Sequence, residues 1–103
     1  MEQIRELCRR IAKDFHPAKI ILFGSFAHGN PRRDSDVDLM VILPFTGKAA
    51  RKCCEILNRV DSKIRLDLLV RTPLQIRKRL ALNDFFLKEV LAKGKLLYDA
   101  SHS

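Results

Sequence analysis

The chain has 103 residues, of which 47% are hydrophobic and 31% charged. This length suits one compact domain spanning residues 1–103, and this composition excludes an intrinsically disordered chain. Twenty Lys and Arg against 12 Asp and Glu give a net charge of +8, which favours polyanionic partners such as nucleic acid or nucleotide phosphates, unless it is only a well-solvated basic surface.

Hydrophobic periodicity and turn residues divide the chain into segments in the order α-β-(α)-β-α-β-α-α-β, and residues 100–103 are expected to form a frayed, disordered tail. This order predicts the α/β (α+β) class, with a mixed sheet of about four strands and helices packed on it. In chain order, the pattern predicts a helix over residues 2–14, a strand over 19–23, a short helical turn opening at Ser25, a strand over 36–43, a helix over 47–60, a strand over 64–70, a helix over 73–82, a helix over 84–92 and a strand over 95–98.

Capping residues support the limits of the last two helices. Thr72 is placed as the N-cap of the third helix, with Pro73 at its first position, where a missing N–H costs nothing. Asn83 or Asp84 then caps the fourth helix. Gly94 is expected to end that helix in the way that C-terminal glycines commonly do.

Cysteine usage and the apolar segments bear on the cellular compartment. Cys8, Cys53 and Cys54 lack zinc-ligand spacing, and a disulfide between the vicinal pair would be strained in a helix. Reduced thiols of this kind are typical of the cytoplasm. The N-terminus has no signal-peptide pattern, and no segment approaches the roughly 20 apolar residues that span a bilayer. We therefore expect a cytoplasmic protein.

The second predicted strand carries two carboxylates. Alternate residues of a strand point to opposite faces, so Asp36 and Asp38 share one face. Two such residues have Cα atoms about 7 Å apart, and their side chains can converge on one cation. A solvent-facing strand is the alternative explanation of this pair. The opposite face is entirely apolar and consists of Val37, Leu39, Val41 and Leu43.

The third predicted strand adds Asp67, which alternates with apolar residues. If the two strands are neighbours, Asp67 can face Asp36 and Asp38. Three carboxylates on adjacent strands suit hard cations with oxygen ligands, Mg²⁺ or Mn²⁺, which can clamp the oxygens of a phosphoryl displacement. Alternatively, Asp67 is a surface carboxylate paired with Lys63 or Arg65.

Gly24 and Ser25 follow the first strand and open a helical turn. Glycine lets backbone N–H groups approach a phosphate closely, and a helix N-terminus and a hydroxyl add donors. Arg32 and Arg33, in the next loop, can supply positive charge. A lone Gly-Ser after a strand is usually only a turn, but the combination with three aspartates in this order favours a nucleotide site.

Two segments carry a specific resemblance: residues 24–29 (Gly-Ser-Phe-Ala-His-Gly) and residues 34–39 (Asp-Ser-Asp-Val-Asp-Leu). Together with Asp67 and the ending 92–98, they are similar to the signature of the DNA polymerase beta-like nucleotidyltransferases, and most similar to the minimal nucleotidyltransferases (MNT proteins). The resemblance covers nearly the whole chain and implies the fold of that superfamily.

The resemblance also implies an activity, which is the metal-dependent transfer of a nucleoside monophosphate, AMP from ATP, onto a hydroxyl. By this likeness Asp36 and Asp38 hold Mg²⁺ or Mn²⁺, and Asp67 completes the site and helps to activate the acceptor. Gly24 and Ser25 would bind the triphosphate. Small members of the family often act as antitoxins of HEPN-domain toxins, and some add AMP to a tyrosine of the toxin.

His28 stands where the family commonly has arginine. An arginine binds phosphate through a bidentate fork that a histidine cannot reproduce. His28 can donate one hydrogen bond, and its change of charge near neutral pH would make activity pH-dependent; otherwise it simply faces solvent.

Three functions compete at this point. The first is an enzyme that transfers AMP to a hydroxyl of a partner protein, as the antitoxin of a toxin–antitoxin pair. The second is a non-catalytic antitoxin, or a module that binds RNA weakly through its basic surface. The third is nucleotidylation of a small molecule, for which larger relatives use an additional recognition domain.

Overall fold

The computed structural model of the protein describes residues 2–24, 26–27, 36–61 and 64–102. The predicted helices and strands in these ranges are all present, with bounds within two residues of those expected. They are α1 (Glu2–Phe15), β1 (Lys19–Phe23), β2 (Val37–Ile42), α2 (Ala49–Val60), β3 (Leu66–Arg71), α3 (Pro73–Ala81), α4 (Phe85–Lys93) and β4 (Lys95–Asp99), followed by a 3-10 turn (Ala100–His102).

The four strands form one mixed sheet in the order β3-β2-β1-β4. The strand β1 pairs antiparallel with both β2 and β4, whereas β2 and β3 are parallel. A parallel pair needs a crossover connection, and α2 provides it. The predicted mixed sheet with packed helices is confirmed.

Helices cover both faces of the sheet, because β2 is apolar on both sides after Asp38. The face that carries Val37, Leu39 and Val41 packs against α1 and α2. The face that carries Met40 and Ile42 packs against α3 and α4, in a second core. Burying each of these aliphatic side chains stabilises the fold by about 1.5–3 kcal/mol. The alternation expected for β2 is thus confirmed.

Side-chain caps define where α3 and α4 begin. The Thr72 hydroxyl accepts a hydrogen bond from Gln75 N at 3.1 Å, and the Gln75 side chain accepts one from Thr72 N at 3.0 Å. This reciprocal pair is a capping box. Of the two candidate caps for α4, the structure selects Asp84, whose carboxylate accepts from Leu87 N at 3.0 Å. Asn83 instead adopts a left-handed backbone, with φ 60.

Gly94 ends α4 as expected, but for a different reason. Its backbone is extended, with φ −71, so a left-handed conformation is not what requires glycine. A Cβ at this position would lie 2.7 Å from Ile21 Cγ2 and 3.0 Å from Leu22 O. The missing side chain therefore lets the end of α4 approach β1.

Residues 100–102, which the sequence analysis assigns to a frayed tail, form a short 3-10 turn. Ala100 N donates to Ala18 O at 2.9 Å, which extends the pairing beyond β4. Ser101 N and Oγ both donate to the Asp99 carboxylate, at 3.0 and 2.7 Å. These local bonds hold the 3-10 turn.

The helices within the described ranges are too short or too polar to traverse a lipid bilayer. The longest of them, α1, has 14 residues.

Replacing Thr72 by alanine removes one half of the capping box. We expect Thr72→Ala to lower the free energy of unfolding by about 1 kcal/mol, or the melting temperature by about 4–8 °C. Thermal unfolding followed by circular dichroism measures this. Thr46→Ala, in the exposed loop before α2, is the matched control, and an equal loss in both variants would contradict the capping role.

Candidate active site

Three chain segments meet at one end of the sheet. In the strand register, Asp38 of β2 lies between Phe23 of β1 and Asp67 of β3. Because β1 is antiparallel to β2 and β3 is parallel to it, β1 ends where β2 and β3 begin. Gly24, which follows Phe23, is therefore brought to the same place as the carboxylates.

Asp38 and Asp67 lie on the same face of the sheet. Residues that face each other across neighbouring strands are about 4.8 Å apart and point the same way. Asp38 precedes Met40 on the face covered by α3 and α4, and Asp67 precedes Leu69 on that face. The condition on which the predicted convergence of these side chains depends, that the two strands are neighbours, is met.

The electrostatic environment of Asp38 is unfavourable to its ionised form. Burial is the main cause that raises the pKa of the Asp38 carboxyl, followed by the negative charges of Asp67 and Asp36 and by the hydrogen bond with Asp67. Asp36, just before β2, and Asp67 are both exposed. The three aspartates thus form one acidic cluster with Asp38 at its centre.

Gly24 is in van der Waals contact with this cluster. Its φ of +77 lies in the left-handed region, and its carbonyl accepts a hydrogen bond from Ala27 N at 3.1 Å, which closes a turn. A Cβ on Gly24 would collide with Asp38 Oδ2. Glycine is therefore required twice, for the turn and for the space that the Asp38 carboxylate occupies.

A cleft of 220 Å³ opens beside Gly24, between β1 and α4. The rings of Phe23 and Phe86 meet edge to face in its wall, with centroids 5.7 Å apart and planes at 87°. At its rim, Lys93 Nζ and Glu89 Oε1 form an exposed ion pair at 3.2 Å. No sequence pattern predicts this cleft, because nothing in the local pattern of α4 indicates that the helix packs beside Gly24.

The other predicted site residues cannot be placed. Ser25, His28, Arg32 and Arg33 lie outside the described residues, and so does Lys63. Arg65, the other suggested partner of Asp67, is described, but no ion pair between described residues involves Asp67. The roles assigned to Ser25, His28, Arg32 and Arg33 stay predictions.

The donor chemistry of the cluster fits a hard divalent cation. Mg²⁺ usually takes one or two protein carboxylates and completes its shell with water and substrate phosphates. Asp38 and Asp67 supply such a pair. Among the described residues, no group of three or more His, Cys, Asp and Glu side chains is arranged to hold a metal ion, so a cation bound by this pair would need further oxygen ligands from water or phosphate.

The fold and the acidic cluster define a class of nucleotide-transferring domains, and comparison with known families names it. Residues 2–103 match the family model "Polymerase beta, Nucleotidyltransferase". The chain therefore belongs to the polymerase beta-like nucleotidyltransferase family, and the resemblance seen in its sequence is confirmed. None of the curated proteins matches the chain in sequence at a significant level.

Solved structures of low sequence identity share the fold. An inferred nucleotidyltransferase from Sulfolobus solfataricus superposes with a TM-score of 0.66 at 17% identity, over 97% of this chain and 80% of that chain. A toxin–antitoxin complex with AMP-PNP gives a TM-score of 0.60 at 22% identity, over 95% and 75%.

A mutant of the toxin–antitoxin pair MntA-HpeT gives a TM-score of 0.54 at 20% identity, over 98% of this chain and 74% of that chain. In that mutant two aspartates, two positions apart, are replaced by glutamate. At these identities the three likenesses establish the fold.

Substituting Gly24 tests its contact with Asp38. We expect Gly24→Ala to cost about 1 kcal/mol for the left-handed backbone and about 1–3 kcal/mol more for displacing the Asp38 carboxylate. Gly47→Ala is the matched control, since Gly47 has φ +86 but a Cβ there would meet nothing within 4 Å. Urea unfolding measures both variants, and equal losses would contradict the contact.

The raised pKa of Asp38 predicts a pH dependence. A carboxyl with a raised pKa in the folded state binds its proton more tightly there than in the unfolded chain, so its contribution to stability falls as pH rises above about 4. Without divalent cations, we expect Asp38→Asn to stabilise the protein relative to the wild type by more at pH 7 than at pH 4.

Urea unfolding in EDTA at the two pH values measures this difference. Glu55→Gln removes a carboxylate that forms an exposed ion pair with Lys52 at 2.9 Å, and it controls for the loss of one negative charge from a basic chain. If the Asp38→Asn difference does not grow with pH, the repulsion within the cluster is not significant.

Proposed function

We propose that this nucleotidyltransferase transfers AMP from ATP to a hydroxyl of a partner protein, in a reaction that depends on Mg²⁺ or Mn²⁺. The hydroxyl oxygen forms a bond to the α-phosphorus of ATP, and pyrophosphate leaves. The observation that carries the proposal is the placement of Asp38 against both Asp67 and Gly24 at one end of the sheet. Catalysis of phosphoryl transfer consists mainly of positioning the reactants and stabilising charge. Carboxylates that can hold a cation, next to a turn that could bind phosphate, would meet both requirements.

Each residue then has a defined task. Asp38 and Asp67 would hold the divalent cation, which when bound offsets negative charge on the triphosphate and on the transition state. The family resemblance adds Asp36 as a further ligand. The turn after Gly24 would hold the phosphates through its backbone N–H groups and Ser25. Asp67, exposed at the edge of the cluster, would accept the proton of the acceptor hydroxyl.

The cleft beside Gly24 is the proposed place for the nucleoside of ATP. It has aromatic walls in Phe23 and Phe86 and a polar rim in Glu89 and Lys93. A volume of 220 Å³ is below the range of about 300–1,000 Å³ that holds whole drug-sized ligands, so it suits part of the nucleotide while the phosphates lie outside it. Support for an adenine nucleotide comes from the structural neighbour that contains AMP-PNP.

A toxin is the proposed acceptor. Two structural neighbours are toxin–antitoxin complexes, and the minimal nucleotidyltransferases that this chain resembles include antitoxins of HEPN-domain toxins. We therefore propose that the protein is the antitoxin of such a pair. The free thiols of Cys8, Cys53 and Cys54 are compatible with action in the cytoplasm.

The second candidate is a module that acts without catalysis, by binding the toxin or RNA. The net charge of +8 and the exposed Arg77, Lys78 and Arg79 on α3 favour it. Neutralising phosphates with such residues makes affinity fall steeply with salt concentration. A salt series of RNA binding therefore tests this candidate, and the absence of RNA binding at low salt removes the RNA version.

Incubation with Mg²⁺, labelled ATP and the protein encoded by the adjacent gene tests the enzymatic proposal. We expect label on the partner with the wild type and a loss of at least about 100-fold with Asp36→Asn/Asp38→Asn, since removing a major electrostatic contribution has effects of this size. Chelation by EDTA should have the same effect.

Glu55→Gln is the control for this assay, because it removes a carboxylate on α2, which packs on the opposite face of the sheet. Circular dichroism shows whether each variant is folded. If the wild type and the Asp36→Asn/Asp38→Asn variant label the partner equally little while both suppress its toxicity in cells, neutralisation occurs by binding and the enzymatic proposal fails.

A further inference from the structure

The turn between α3 and α4 exposes large apolar side chains. Leu82 is 81% exposed and Phe85 is 78% exposed, with Phe86 beside them at 45%. The side of α3 that faces the sheet is already packed, because Ile76 and Leu80 contribute to the second core. Leu82 and Phe85 therefore form an apolar surface that the fold itself does not use. Contiguous exposed apolar groups of this kind commonly mark interaction sites.

This surface borders the candidate active site. Phe86 contacts Phe23 edge to face, and Phe23 is the register partner of Asp38. Phe86 also lines the cleft that Gly24 lines. Phe86 therefore belongs both to the exposed apolar group at this turn and to the cleft beside the carboxylates.

The charges around this surface are predominantly positive. Residues 77–88 contain four basic side chains and one acidic side chain. The acidic one, Asp84, is engaged by Arg79 at 3.3 Å and by Leu87 N at 3.0 Å. Lys88 Nζ donates a hydrogen bond to a neutral group, Asn83 Oδ1, at 2.9 Å. A complementary partner carries carboxylates around its apolar side chains.

We propose that the surface formed by Leu82, Phe85 and Phe86, with Lys78 and Lys88 at its rim, docks the polypeptide that presents the acceptor hydroxyl. The occupant is a segment of a partner protein with apolar side chains flanked by Asp or Glu. That the bound segment presents an acceptor hydroxyl rests on the proposed function, whereas the binding of the partner at this surface does not.

Docking at this position would serve the transfer reaction directly. Holding an acceptor hydroxyl beside a bound nucleotide converts a bimolecular encounter into an effectively unimolecular step. A second copy of the chain is a poorer occupant, because two surfaces of a protein with net charge +8 repel each other. Leu82, in the turn, and Phe85, at the start of the nine-residue helix α4, also make a small anchor for a membrane surface.

The double variant Leu82→Ser/Phe85→Ser tests the proposal, with Leu96→Ser as the matched control. Leu96 is 51% exposed but lies on β4. Isothermal titration calorimetry with the protein encoded by the adjacent gene gives the binding constant, and the transfer assay gives separate KM values for that protein and for ATP. Circular dichroism melting confirms that each variant is folded.

We expect the double variant to weaken binding of the partner and raise its KM by at least about tenfold, as loss of central aromatic anchors does. The KM of the double variant for ATP should change by less than about twofold. In Leu96→Ser, the binding constant and both KM values should also change by less than about twofold, because single exposed positions away from an interface contribute little. Reversing the charge at the rim, in Lys78→Glu/Lys88→Glu, should weaken binding and reduce its salt dependence.

Failure of docking and failure of the enzymatic proposal give different results. If the wild type binds the partner but transfers no AMP, the proposed activity fails, and the docking surface is still judged by the effect of Leu82→Ser/Phe85→Ser on binding. Equal binding by the wild type and this variant overturns the docking surface, as does the absence of any binding by the wild type.

Two further outcomes would assign the surface to another occupant and overturn the proposal. One is self-association of the wild type that Leu82→Ser/Phe85→Ser abolishes, measured by light scattering. The other is adsorption of the wild type to phosphatidylglycerol vesicles that the same variant abolishes.

Discussion

The repulsion among carboxylates at the start of β2 and β3 is the constraint around which the rest of the molecule is organised. Asp38 is held against Asp67 by strand register and against Gly24 by the turn after β1. Burial and the neighbouring charges raise the pKa of Asp38, so the ionised cluster opposes folding. The fold tolerates this arrangement because the remainder of β2 is buried on both faces of the sheet.

The two faces of the sheet have different tasks in the proposed mechanism. On one face, α1 and α2 close the larger core, and nothing in the proposed reaction uses it directly. The other face begins with the carboxylates and continues into the core under α3 and α4. Chemistry and recognition thus share one face, with the cleft lined by Gly24 and Phe86 between them.

Local sequence was sufficient for most of the fold. Alternation in β2, the Thr72 cap and the glycine after α4 are properties of a few neighbouring residues, so the sequence predicts them. For the cap of α4 the sequence offers Asn83 or Asp84, and the structure selects Asp84. It also predicts Asp36, Asp38 and Asp67 as a group, because carboxylates within apolar strands are conspicuous. The 3-10 turn after β4 was not predicted, since the bond from Ala100 N to Ala18 O joins residues far apart in the chain.

The sequence by itself therefore determined the order of the elements, the two-faced strands and the identity of the acidic residues. Only the tertiary structure decided that β2 and β3 are parallel neighbours in the register that places Asp38 opposite Asp67. It also decided that Asp38 Oδ2 fills the space beside Gly24, and that α4 brings Phe86 to Phe23. The physical reason is that side-chain periodicity specifies which face a residue occupies, whereas strand pairing and helix docking depend on contacts between distant segments.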